Sequence, residues 1–211
     1  AYYYPNAQKG AYINNPRLGL LYTWDAATGG QGGSDGNKTI NDSEELNQNP
    51  DRVQGICPNG WHLPSDWEWT ELELEVNENT HKYSSLPDAN GTITIGATLT
   101  RGANHGVAMI DPCPSPGQTL PPNGQSNIIS NDPSRAPGMN ILLSGGINSS
   151  GASSSYGQNS YIWTASSNNK GGSNGGFSGS AVSRAFFYFQ VEVDRRHPSR
   201  TGLTDARGKK D

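Results

Sequence analysis

Four histidines and two cysteines carry most of the reactive potential of this 211-residue chain. His62, His81, His105 and His197 are scattered, with no His-x-x-x-His or His-Glu-x-x-His pair, so their spacing does not assemble a zinc site. Cys57 lies between Ile56 and Pro58 with no base close in sequence, which favours a structural thiol over a nucleophile. No Gly-x-Ser-x-Gly elbow occurs. The Gly-rich stretch 29–37 lacks the Gly-Lys-Ser/Thr ending of a phosphate-binding loop. Calcium is the one metal the loops suit, because it takes several hard oxygens: Asp35, Asn37 and Asp42 offer them. That stretch is not an EF-hand, since Ile40 stands where Gly is needed and Leu46 where the bidentate Glu belongs. A plain polar loop is the competing reading.

The late part of the chain offers binding more than catalysis. Tyr161, Trp163, Phe177 and Tyr188 could stack on a sugar face, and Asn168, Asn169 and Asn174 could donate and accept hydrogen bonds. The alternative places Tyr161 and Trp163 in the core and leaves the Asn/Ser/Gly segments as solvent turns.

Elements must hold these residues. Ser65 and Glu68 stand in the capping-box relation, and Asp66 adds negative charge to the first turn. They start a helix over 66–76, with Trp69, Leu72 and Val76 on one face and Glu68, Glu71, Glu75 and Glu78 as solvated charge. Residues 19–24 read as a strand leading into a short helix at 25–27, and 42–47 as one or two helical turns. Alternation predicts strands at 92–98 and 185–193, and apolar content predicts core strands at 141–143 and 161–164. Residues 101–135 read mostly as loop, and a loop of that length is usually functional or disordered.

Composition narrows the classes. Hydrophobic residues make up 32%, with Gly 27 and Pro 14, which implies a small core under many turns. The formal charge is -4, so no basic field exists for nucleic acid or an anionic membrane. No apolar run approaches the ~20 residues that span a bilayer.

Several of these stretches carry a resemblance. The run Cys57-Pro58-Asn59-Gly60-Trp61-His62-Leu63-Pro64-Ser65-Asp66-Trp67-Glu68-Trp69 resembles the signature of the Fibrobacter succinogenes major paralogous domain, FISUMP. Tyr2-Tyr3-Tyr4-Pro5-Asn6, residues 20–27, residues 138–146 and residues 160–167 are similar to further blocks of that family, in family order. The resemblance implies a secreted or surface-attached bacterial domain without an assigned reaction. It makes Trp61, His62, Pro64, Ser65, Glu68 and Trp69 a structural motif. The family's opening Trp-x-x-Glu-Asn-Leu strand and closing Gly-Phe-Ser-Val-Arg-Cys strand do not appear. In the family the motif cysteine pairs with that closing one. Here Cys57 could pair within the chain only with Cys113, for roughly 4 kcal/mol on the chain-entropy model. Two reduced or externally paired thiols are the alternative.

Residues 63–69 also resemble a segment of the formylglycine-generating enzymes, which have a C-type-lectin-like fold. The enzymatic members need reactive cysteines late in the chain, and none stands there. The Glu-Pro-Asn or Gln-Pro-Asp motifs of calcium-dependent sugar binding are absent too.

The expectation is therefore one α+β domain over 1–211, a C-type-lectin-like mixed fold with small twisted sheets, one clear helix at about 66–76, and long Gly/Ser/Asn/Pro-rich loops. Residues 195–211 would form a tail. Its work would be adhesion or ligand binding at a bacterial cell surface, with a glycan or protein ligand and without catalysis. A structural subunit of a surface filament, with a neighbouring subunit completing the sheet, is the alternative; a formylglycine-generating type of enzyme is a second. The expected partners include neither nucleic acid nor a membrane-spanning segment, and no cofactor is called for beyond the calcium option.

Overall fold

The computed structural model describes residues 2–29, 53–88, 100–101, 105–115, 117–118, 124–128, 132–148, 150–168, 180–187 and 190–194. The expected features at 35–47 and 92–98, the tail 195–211, and Asn169, Asn174, Phe177 and Tyr188 lie outside these residues.

The chain opens with a short strand, β1 (Tyr2–Tyr3), a 3-10 turn at Pro5–Ala7 and the helix α1 (Lys9–Asn14). Strand β2 (Leu21–Tyr22) pairs antiparallel with β1 and runs into α2 (Trp24–Thr28). The Thr23 hydroxyl caps that helix by accepting from the Ala26 N–H at 3.3 Å. Strand followed by short helix is the order the sequence predicts for this stretch.

The long helix α3 (Asp66–Glu78) begins where the capping pattern places it and runs two residues past the expected Val76. Both halves of the capping box form: the Glu68 N–H donates to Ser65 Oγ at 3.1 Å, and the Ser65 N–H to Glu68 Oε2 at 2.8 Å. Trp69 and Val76 are buried, and Leu72 packs beside them. Glu71 and Glu78 are exposed as expected. Glu75 instead turns to Lys82 Nζ at 3.0 Å and Tyr83 Oη at 2.8 Å, reaching into α4 (Thr80–Tyr83).

The 101–135 stretch is not all loop. After β3 (Thr100–Arg101) it contains α5 (His105–Met109), whose Ala108 and Met109 join Trp69, Val76, Ile110, Ile141 and Leu143 in one buried cluster. Five residues are too few to display a helical period, and this run hides in sequence for that reason. Ile110 and Ile141 meet in an isolated parallel bridge, so 141–143 is core without being a strand of a sheet.

A second cluster gathers Leu21, Trp24, Ala27, Ile147 and Trp163. Ile147 comes from a hairpin of β4 (Gly146–Ile147) and β5 (Ser153–Ser154). Trp163 comes from β6 (Asn159–Asn168), which pairs with β7 (Ser180–Phe187). β7 pairs with β8 (Gln190–Asp194), and the antiparallel sheet runs β3-β8-β7-β6. The stretch expected as one strand over 185–193 instead contributes to two antiparallel strands, β7 ending at Phe187 and β8 starting at Gln190, with these two residues paired. Both carry the same alternation, and no Gly or Pro marks the reversal. Helices with small antiparallel sheets make the chain α+β. No helix among the described residues is long and apolar enough to cross a membrane.

Candidate functional site

β6 stands at one end of its sheet, and its outer side is held at two points. The Gly145 N–H donates to Asn159 O at 2.8 Å, and the Ala165 N–H donates to Pro64 O at 2.9 Å. Between these anchors no described strand lies beside Tyr161, Ile162 and Trp163.

Two indoles tie β6 to the opposite wall. Trp163 Nε1 donates to Tyr22 O at 3.0 Å, and Trp24 Nε1 donates to Thr164 O at 2.8 Å. The motif loop closes a third side. Its Ile56 N–H donates to Ala27 O at 3.0 Å and its Leu63 N–H to Val53 O at 2.8 Å. Gly55 sits left-handed at φ 55, and a Cβ there would run into the Ala27 carbonyl oxygen. Only glycine lets the loop lie this close to α2.

These walls line an open pocket of about 310 Å³. Leu21, Ile56, Leu63, Leu142, Ile162 and Trp163 give it an apolar interior, and Arg17, Ser144, Ser160 and Tyr161 add polar atoms. No His, Cys, Asp, Glu or Lys belongs to its lining among the described residues. Tyr161 Oη accepts from Asn159 Nδ2 at 3.0 Å, which fixes the phenol. Ile56 is 49% exposed at the pocket and so is available to a partner.

Arg17 marks one rim. Its Nη2 donates to Asp111 Oδ2 at 2.9 Å, with the arginine side chain 62% exposed and the carboxylate 1% exposed. The other Asp111 oxygen accepts from the Cys113 N–H at 2.8 Å. Asp111 thus has the charged partner and the hydrogen bonds that a buried carboxylate requires. Burial, followed by the neighbouring Asp111 charge, pushes the Cys113 thiol above its ordinary range.

The predicted site residues divide. Tyr161 and Trp163 meet at the pocket. Trp163 is 6% exposed and belongs to the buried cluster, so it forms part of the wall and does not present an open face for a sugar. Asn168 ends β6. Asn169, Asn174 and Phe177, and the calcium candidates Asp35, Asn37 and Asp42, lie outside the described residues. Cys57 and Cys113 are both free thiols in the structure, which is the alternative to a bridge between them. Their backbones are tied elsewhere: the Cys57 N–H turns back to Gln54 O, and the Cys113 N–H goes to Asp111.

The structural motif works in parts. Ser65, 5% exposed, caps α3, and Trp69 anchors it. Pro64 holds β6 at Ala165 through its carbonyl oxygen. His62 Nε2 lies 2.8 Å from Glu68 Oε1 and so supports the capping carboxylate. Partial burial pushes the Glu68 carboxyl up, but the Ser65 N–H and His62 outweigh it and hold the group below its ordinary value. Trp61, by contrast, is 71% exposed. No group of three or more His, Cys, Asp or Glu placed to hold a metal ion occurs among the described residues.

Sequence reasoning passed over Arg17, Asp111, Ile56 and Leu142. No period or motif links them into a site; Leu142 was legible only as part of the core stretch 141–143, and Ile56 only as an apolar residue beside the motif cysteine. A family model described as the Fibrobacter succinogenes major domain matches residues 1–199. No curated protein and no solved structure matches the chain.

Proposed function

The chain belongs to the Fibrobacter succinogenes major domain family, and from that premise we propose a non-enzymatic binding domain, C-type-lectin-like in architecture, at a bacterial cell surface. Its ligand is an extended protein segment that lays one large apolar side chain into the pocket beside β6. The pocket carries this reading: its interior is mostly apolar, it lies beside the edge of β6, and among the described residues no His, Cys, Asp, Glu or Lys lines it. A strand edge supplies backbone donors and acceptors to an added segment, and a neighbouring pocket supplies side-chain specificity. The surface location rests on the family resemblance.

A structural role in a surface assembly uses the same geometry, with the segment donated by a neighbouring subunit. The outer edge of β6 favours it: between its two anchors no strand among the described residues pairs with it, and an unpaired edge invites pairing with another chain.

Panning a phage-displayed library of random peptides against the immobilised protein tests the proposal. Enriched peptides should share a large aliphatic or aromatic residue within a β-prone stretch. Ile56→Asp, at a half-exposed wall position, should weaken their binding about tenfold or more. Enrichment of no peptide family, or binding indifferent to Ile56→Asp, would refute the reading.

A further inference from the structure

We propose that Tyr2, Tyr4 and Tyr12 form a second binding site, separate from the pocket, that takes a neutral oligosaccharide. None of the three lines the pocket. The Tyr2 and Tyr4 ring centroids lie 6.1 Å apart at an interplanar angle of 89°, and those of Tyr4 and Tyr12 lie 6.0 Å apart at 46°. Perpendicular and tilted rings build a corner of aromatic faces and edges, unlike a closed stack. Tyr2 is 56% exposed, and Tyr4 and Tyr12 are half-buried, so the corner opens to solvent.

The backbone fixes this corner in advance. Tyr2 pairs with Tyr22 across β1 and β2. Pro5 is buried, and the next two residues, Asn6 and Ala7, are left-handed at φ 55 and φ 53 although neither is glycine. That conformation is uncommon for such residues. It folds the chain back so that α1 brings Tyr12 against Tyr4. The Ala7 N–H to Tyr4 O bond at 3.0 Å and the Gln8 N–H to Pro5 O bond at 3.1 Å hold the turn. Rings ordered before binding spare the ligand the cost of ordering them.

Charge and chemistry select the ligand. Residues 1–15 contain no Asp or Glu and one cation, Lys9. The segment itself therefore offers a cationic ligand no carboxylate and a polyanion one charge to pair with. Asn6, Gln8 and the phenol hydroxyls supply neutral donors and acceptors. Flat C–H faces for the rings and hydroxyls for the amides are what a pyranose with equatorial substituents presents. A β-1,4-linked chain repeats them along its length.

The test is calorimetric titration of the whole chain with three hexasaccharides, the β-1,4-linked oligomers of glucose, xylose and N-acetylglucosamine, and with dextran sulfate as the anionic comparison. At least one neutral sugar should bind saturably. Tyr2→Ala should weaken it about tenfold or more, while Tyr2→Phe retains it within about threefold, because the ring face carries the contact. Ile56→Asp should leave sugar binding unchanged, which separates this site from the pocket. In the unsubstituted protein the Tyr2 and Tyr12 ring proton resonances should move on adding the sugar, a readout that does not depend on any variant folding. Binding of none of the neutral sugars, a preference for dextran sulfate, binding unmoved by Tyr2→Ala in a folded variant, or tyrosine resonances that stay fixed would each overturn the site.

Discussion

Trp24 and Trp163 each donate an indole hydrogen bond to the backbone beside the other. Trp24 Nε1 reaches Thr164 O at 2.8 Å, and Trp163 Nε1 reaches Tyr22 O at 3.0 Å. Thr164 follows Trp163 in β6, and Tyr22 ends β2 two residues before Trp24. The exchange fixes β6 against the β2–α2 corner, and both rings are buried in the same apolar cluster. An indole placed this way supplies a large apolar body and one polar atom, and each polar atom here finds an acceptor.

Replacing either ring with phenylalanine should therefore cost more than apolar area. Trp24→Phe leaves the Thr164 carbonyl without its indole donor, and Trp163→Phe does the same to Tyr22. Each should lower stability by about 1–3 kcal/mol, measured as a shift in the urea midpoint at constant slope. Variants that unfold at the midpoint of the unsubstituted chain would show that the exchange contributes nothing.

The Glu68 carboxylate makes acid stability readable at one residue. Its value in the fold lies below the ordinary 4.5, despite the upward push of partial burial, because the Ser65 N–H and His62 favour the charged form. A lowered value means the unfolded chain binds the proton more readily. The stabilisation is then full above 4.5 and disappears as pH falls through the folded value. Glu68→Gln should cost less than about 1 kcal/mol at neutral pH, given the solvent around the pair. The melting-temperature gap between the two proteins should close as the pH drops below 4.5 and through the folded value. A gap that widens in acid would reverse the assignment.

The part of the fold that was legible in sequence is local. Ser65 and Glu68 stand three residues apart, so the cap of α3 could be read from spacing, and Trp69 and Val76 share a face because a helix imposes its period. The pocket was not legible, because its walls come from residues as distant as Arg17, Ile56, Leu142 and Trp163. The Arg17–Asp111 pair spans 94 positions. Nothing in either neighbourhood announces the other. Trp163 shows the limit from another side. An aromatic residue in a strand suits a core or a stacking surface equally well by type, and only its 6% exposure decides for the wall.

The cysteines give a chemical check on the arrangement. Cys57 and Cys113 are free thiols. Iodoacetamide should therefore modify both in the unreduced, native protein, seen as two additions by intact mass. Because burial and Asp111 raise the Cys113 thiol above its ordinary 9.0, its alkylation rate should still climb beyond that pH. A peptide joining Cys57 to Cys113 in a non-reducing digest would contradict the structure.

Gly55 connects the signature loop to the pocket wall. Its left-handed backbone and its closeness to the Ala27 carbonyl set two separate penalties on any side chain. That same carbonyl accepts the Ile56 N–H, so a methyl at position 55 would displace the bond and carry Ile56 and Leu63, two wall residues, with it. Gly60 provides the comparison: it is left-handed at φ 85, but a Cβ there would meet nothing within 4 Å. Gly60→Ala should cost about 1–2 kcal/mol from backbone strain alone. Gly55→Ala adds the clash and should cost about 2–5 kcal/mol. Denaturation midpoints of the two variants measure the difference. Equal losses would mean that the loop does not press on α2 and that the third wall of the pocket is misplaced.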